Sequence, residues 1–87
     1  MPPINISQTA VEINNRFFLA VQTLKDQKEI RGLQTLTREW QINRWNLISV
    51  RDEPSKRVIK VEYLTYLVRD YKINAEWLLT GFGKMFK

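Results

Sequence analysis

The chain has no cysteine and no histidine, only three glycines and three prolines in 87 residues, and no long apolar run. Without cysteine there is no disulfide, no thiol nucleophile and no thiolate metal ligand, which fits a reducing compartment. Without histidine the commonest general base and the commonest zinc ligand are missing too. The glycines, at 32, 81 and 83, are too scattered to build a phosphate-cradling loop. Acids, lysines, serines and tyrosines remain, but no pair of them stands at a spacing that suggests a catalytic site. Enzyme activity is therefore not expected, and neither is a metal or other cofactor. No apolar stretch approaches the roughly 18 residues of a membrane span. Met1-Pro-Pro-Ile-Asn-Ile has neither the basic nor the apolar segment of a signal peptide. The default compartment is the cytoplasm, with no membrane or small-molecule partner indicated.

What is present is an ordinary globular composition, 44% hydrophobic and 26% charged, enough for one domain with one modest core. The net charge is +5, and it is unevenly placed. Residues 31–60 carry Arg31, Arg38, Arg44, Arg51, Lys56, Arg57 and Lys60 against Glu39, Asp52 and Glu53, a net of +4 that leaves only +1 for the other 57 residues. A solvated face mixes its signs more evenly. Such a concentration favours a polyanionic partner.

The excess sits on the stretch Leu33 to Arg51, LQTLTREWQINRWNLISVR. Leu36, Trp40 and Ile42 give its first part an apolar stripe that breaks into a turn. Asn43 is a preferred N-cap for a second helix. Ile42 and Leu47 stand at the two ends of a hydrophobic staple around it, and Leu47 and Val50 share the inward face. This is a helix-turn-helix. At about 100° per residue, the Leu47/Val50 face leaves Trp45, Ser49 and Asp52 roughly opposite, with Ile48 on the flank and Arg44 able to reach the same side. A helix laid in a major groove would present such a face and read base edges with its N-terminal residues. The competing reading folds Trp45 back into the core and leaves Arg44 as a solvated charge.

Around this motif the pattern predicts further helices. Residues 1–8 are expected to be a flexible lead-in. A first helix begins near Thr9, where Thr9-Ala-Val-Glu12 matches a capping box, and buries Ile13, Phe17, Val21 and Leu24 with Ala20 beside them. Phe18 falls outside that stripe. The pattern is lost in residues 25–29, and Gly32 supplies a break. Pro54 excludes a helix through 52–60, which reads as a basic loop, with Val58, Ile59 and Val61 as a short extended piece. A helix over 62–71 would set Leu64, Leu67, Val68 and Tyr71 on one face, with Tyr63 and Tyr66 off it. A last helix covers 75–80, with Gly81 ending it as a C′ residue and 82–87 as a short tail. Trp40-Gln-Ile42-Asn43-x-x-x-Leu47-Ile48 is echoed 31 residues later by Tyr71-Lys-Ile73-Asn74-x-x-x-Leu78-Leu79. The same sharp corner is built twice.

Five helices in this order resemble the lambda-repressor-like, or Cro-type, helix-turn-helix domains of phage and bacterial regulators. The resemblance covers roughly Ile13 to Phe86. Its most specific piece is Tyr71-Lys-Ile-Asn-Ala-Glu-Trp-Leu-Leu-Thr-Gly-Phe-Gly-Lys-Met85. Leu36, Trp40, Ile42, Leu47 and Val50 fall where that family has core residues. The chain departs from the pattern at Gln41 and Lys72, which occupy corners where the family usually has glycine and where φ > 0 is needed. It departs again at Gly32-Leu33, where the family has Ser or Thr followed by Gln, leaving Gln34 to stand in one residue later. The 52–60 loop also lacks the family's usual glycine.

The resemblance implies an all-α, five-helix domain with its helix-turn-helix at about 33–51, binding double-stranded DNA sequence-specifically as a transcriptional regulator of the repressor type. It implies base reading by Arg44, Trp45, Asn46 and Ser49. It implies a phosphate contact from Gln34, and the surrounding charge adds Arg38, Arg51, Lys56, Arg57 and Lys60. Family members act as paired domains, so a homodimer is expected, at least on DNA, through Trp77, Phe82, Met85 and Phe86. The alternative for that tail is that it caps the domain's own core. The rival function is a protein-interaction module on the same fold without DNA binding.

Overall fold

The computed structural model describes residues 6–87. Its five helices are α1 (Gln8–Asp26), α2 (Leu33–Trp40), α3 (Arg44–Asp52), α4 (Val61–Tyr71) and α5 (Ala75–Thr80). The fold is all-α, with α2 and α3 forming the helix-turn-helix. One core joins all five elements, through Phe17 and Leu24 of α1, Leu36 of α2, Leu47 of α3, Leu67 of α4, and Ile73 and Leu78 at and within α5. Truncating a buried leucine or isoleucine of this kind typically costs about 2–5 kcal/mol. No helix among the described residues is long and apolar enough to cross a membrane.

Of the expected flexible lead-in, residues 1–5 lie outside the described residues. The remainder is fastened. The Ile6 N–H donates to the Ser55 carbonyl at 3.1 Å. Ser7, not Thr9, caps α1 by accepting from the Ala10 N–H at 3.1 Å. Both residues have the side chain for the task, and the one beside the anchored Ile6 takes it. On α1 the stripe 17, 21, 24 is buried as expected, but Ile13 is only half-buried and Asn14 takes the inner position. Phe18 packs edge-on against Phe17, with ring centroids 5.2 Å apart.

The two echoed corners have one geometry. Gln41 (φ 55°) and Lys72 (φ 58°) are both left-handed. Asn43 accepts from the Trp45 N–H at 2.9 Å and Asn74 from the Glu76 N–H at 3.1 Å. Leu47 and Leu78 are fully buried behind them. A non-glycine residue in the left-handed region costs on the order of 1 kcal/mol, which the caps and staples of each corner offset. Gly81 ends α5 as a left-handed C-cap, its N–H bonded to the Trp77 carbonyl at 2.8 Å. Arg16 reaches across from α1 to the same helix end, donating to the Leu78 and Leu79 carbonyls at 2.8 and 3.1 Å.

Two expectations for the C-terminal half are corrected. Val58, Ile59 and Val61 form no strand; Ile59 alone turns inward while the two valines are exposed. Tyr63 is buried, because α4 turns that ring beneath α3, where its hydroxyl meets Asn46. Tyr66 is half-buried against Trp40. The Trp40 indole N–H donates to Asp70 at 3.0 Å, tying α2 to α4. Arg69 holds the same carboxylate at 2.7 Å, and this ion pair first, then the Trp40 bond, keeps Asp70 below the usual carboxylate range. The Tyr71 hydroxyl donates to Glu39, a second tie between α2 and α4, and burial followed by that bond pushes its pKa up.

Candidate nucleic-acid interface

α3 has three sides. Leu47 and Val50 face the core. Arg44, Trp45, Arg51 and Asp52 are exposed, and Ile48 is half-exposed among them. Trp45 retains 61% of its surface accessible, which rules out the core reading for this ring. The third side is covered. Ser49, expected on the outward face, is only 7% exposed and is corrected to a buried position. The cause is the 53–60 loop, which closes over that flank: Ser49 lines a groove with Asn46, Val50, Lys56, Arg57, Val58 and Lys60. On a helix the position that follows Arg44 by one turn on the open side is Ile48, not Ser49. Asn46 is half-buried at the groove, and one N–H of its amide donates to the Tyr63 hydroxyl at 3.1 Å. Lys60 lies over the same tyrosine, its ammonium 5.9 Å from the ring centroid, a cation–π distance.

A second groove borders the other side of α3. Lys25, Arg31, Gln34, Arg44 and Arg51 contribute to its lining, at the start of α2. Gln34 lies back across that start. A Cβ at Gly32 would come within 2.6 Å of the Gln34 amide oxygen, so glycine is what allows this close approach. Gly32 gives α2 no side-chain cap, and the positive end of the helix dipole adds to the cations there. The open face of α3 thus lies between two cation-lined grooves, about 320 Å³ on the α2 side and about 350 Å³ on the loop side. Arg38, exposed in the last turn of α2, lies in neither.

The loop cations are partly engaged within the protein. Glu53 pairs with Arg57 at 3.0 Å and with Lys56 at 3.9 Å, and Arg51 with Asp52 at 3.4 Å. These are exposed pairs, worth at most about 1 kcal/mol each, which a phosphate can replace. Their backbone is held more firmly. Asn14, fully buried on α1, donates to the Pro54 carbonyl at 3.0 Å and the Arg57 carbonyl at 2.7 Å, and accepts from the Ile59 N–H at 3.2 Å. Asn14 shares the inward phase of Phe17, Val21 and Leu24, and a polar residue at a core phase is the signal by which the sequence could have shown it. Lys25 and Arg31 were likewise outside the expected contact set.

The tail resolves differently from the expected interface. Ile73 and Phe86 form an antiparallel bridge, the Asn74 N–H donates to the Met85 carbonyl at 2.7 Å, and the Lys87 N–H to the Lys72 carbonyl at 3.0 Å. Met85 and Phe86, with Trp77, therefore pack against the chain's own core. Phe82 alone of the four is largely exposed, at 71%. Among the described residues no group of acids is placed to hold a metal ion. Compared with family models, curated proteins and solved structures, the chain matches none.

Proposed function

We propose that the protein binds double-stranded DNA sequence-specifically through α3 and acts as a transcriptional regulator of the lambda-repressor-like kind. The observation that carries this reading is the open face of α3, with Arg44 and Trp45 in its first turn, set between two cation-lined grooves. A helix entering the major groove needs base-reading side chains at its N-terminal end and phosphate contacts on both sides. Arg44 supplies a bidentate partner for guanine, while Trp45 and Ile48 offer apolar contact to a thymine methyl. Asn46 approaches adenine from a position fixed by Tyr63. Arg51, Gln34 and Arg31 on one side, and Lys56, Arg57 and Lys60 on the other, would meet the two phosphate strands.

Pairing on a pseudo-palindromic duplex belongs to the same proposal, because one recognition helix covers too few base pairs for useful specificity. With Trp77, Met85 and Phe86 used internally, the apolar residues that support pairing are Val61 and Leu79, which line a groove between α4 and α5, and Phe82. A second reading, a protein-interaction module, is favoured by the exposed indole of Trp45 beside Ile48. Titration of duplex DNA at several salt concentrations separates the two. Contacts to about six phosphates give a log–log slope near −5; salt-independent or absent binding supports the interaction module instead.

A further inference from the structure

We propose that Asn14, on α1 and remote from the open face of α3, is a positioning residue that sets the cationic loop 53–60 for phosphate contact, an inference that rests on the DNA-binding reading. Asn14 is fully buried, and its one amide makes three bonds to a segment 40–45 positions away in sequence: two to loop carbonyls, at Pro54 and Arg57, and one to the Ile59 N–H. All the polar capacity in use at this side chain is spent on the loop backbone, and none on α1 itself. The loop has no strand partner to hold it, and its cations point outward on exposed side chains. Besides Ile59 beneath it, the Ile6–Ser55 bond at 3.1 Å and the turn bonds from the Lys56 and Arg57 N–H groups to the Glu53 carbonyl, Asn14 is what ties the loop to α1. The same closure buries Ser49 and forms the groove in which Asn46 sits beside Lys56, Arg57 and Lys60. A carboxamide suits this place because it donates twice and accepts in one plane while carrying no charge to desolvate.

Leucine matches asparagine in the number and branching of its side-chain heavy atoms and removes all three bonds. Asn14→Leu leaves two carbonyls and an N–H that must turn to water, so the loop swings out and Lys56 and Arg57 lose their fixed places. The experiment measures duplex binding against salt for the wild type, Asn14→Leu, Lys56→Ala with Arg57→Ala, and all three substitutions together, each checked for helical content. The expected result for Asn14→Leu is a salt slope reduced by roughly one to two units and an affinity at 0.1 M salt lower by about tenfold. In the loop-neutralised background Asn14→Leu should cost almost nothing more, since the contacts it acts through are gone. An unchanged slope, or an equal loss in both backgrounds, overturns the proposal and leaves Asn14 a structural residue only. Should Asn14→Leu fail to fold, Asn14→Ala, which removes the same three bonds without overfilling the site, is put through the same cycle with the same criteria. A wild type without salt-dependent binding overturns the DNA reading itself; a wild type that binds while the Asn14 slope stays unchanged overturns this inference alone.

Discussion

Replacing Trp45 by alanine separates surface function from packing more cleanly than any other single change. The residue is 61% exposed, so about two-fifths of it is buried. For a side chain of roughly 250 Å² that is about 100 Å², or at most about 2.5 kcal/mol at 25 cal/mol per Å². Residual burial in the denatured chain removes 10–40% of this, and alanine's better helix propensity returns up to about 0.5 kcal/mol. The expected loss is therefore about 1 kcal/mol, a fall in melting temperature of roughly 4–8 °C for a domain of this size. Trp40→Ala is the internal control. Its ring is buried and its N–H is bonded to Asp70 at 3.0 Å, so truncation should cost about 3–5 kcal/mol, close to the whole stability of so small a domain. Thermal melts of both variants, followed by duplex binding of Trp45→Ala below its melting range, give the result. A Trp45→Ala melt as depressed as that of Trp40→Ala would refute the placement of the ring. Unimpaired DNA binding by the folded variant would remove Trp45 from the contact surface.

Arg44→Ala should cost about 1–3 kcal/mol on a selected duplex and relax preference at one base pair; equal losses on selected and random duplex would make Arg44 a phosphate contact only. Gln41→Gly relieves a left-handed residue at φ 55° and should stabilise the domain by up to about 1 kcal/mol in chemical denaturation; a loss of stability would show that the glutamine side chain matters at that corner. Asp70, held below the ordinary carboxylate range by Arg69 and then Trp40, contributes stability that is present above its unfolded pKa of about 4 and disappears as pH falls through the lower folded value. The Asp70 side chain is about one-third exposed and its Arg69 partner largely so, and solvent screening keeps the effect small. Asp70→Asn should flatten the acid limb of a stability–pH curve below about pH 4, and an unaltered limb would assign it to other carboxylates.

The corners were legible because their chemistry is local. Ile-Asn followed by a leucine four residues on contains the staple, the cap and the buried receiver, and the left-handed residue before it follows from the turn. Both Gln41 and Lys72 take that conformation although neither is glycine. The placement of Ser49 was not legible, because helical phase puts it near the outward side, while its groove is lined by a loop that Asn14 holds from another helix. Tyr63 was misplaced for the same reason, since its burial depends on how α3 crosses α4. Ser7 and Thr9 are equivalent caps by residue type, and the choice between them depends on where Ile6 is anchored. The tail posed two possibilities that composition could not separate. The bridge between Ile73 and Phe86 decides it for Met85 and Phe86, which leaves Phe82 outside.

Everything proposed for this protein depends on whether α3 reads sequence on duplex DNA. The most direct measurement enriches binders from a randomised duplex pool and compares affinity for the recovered sequence with that for its scrambled counterpart at 0.15 M salt. At least a thousandfold preference is expected, as specific duplex readers show, with the recovered sites pseudo-palindromic and the preference reduced by Arg44→Ala. Recovery of no common sequence, with equal affinity for the two duplexes, would contradict it.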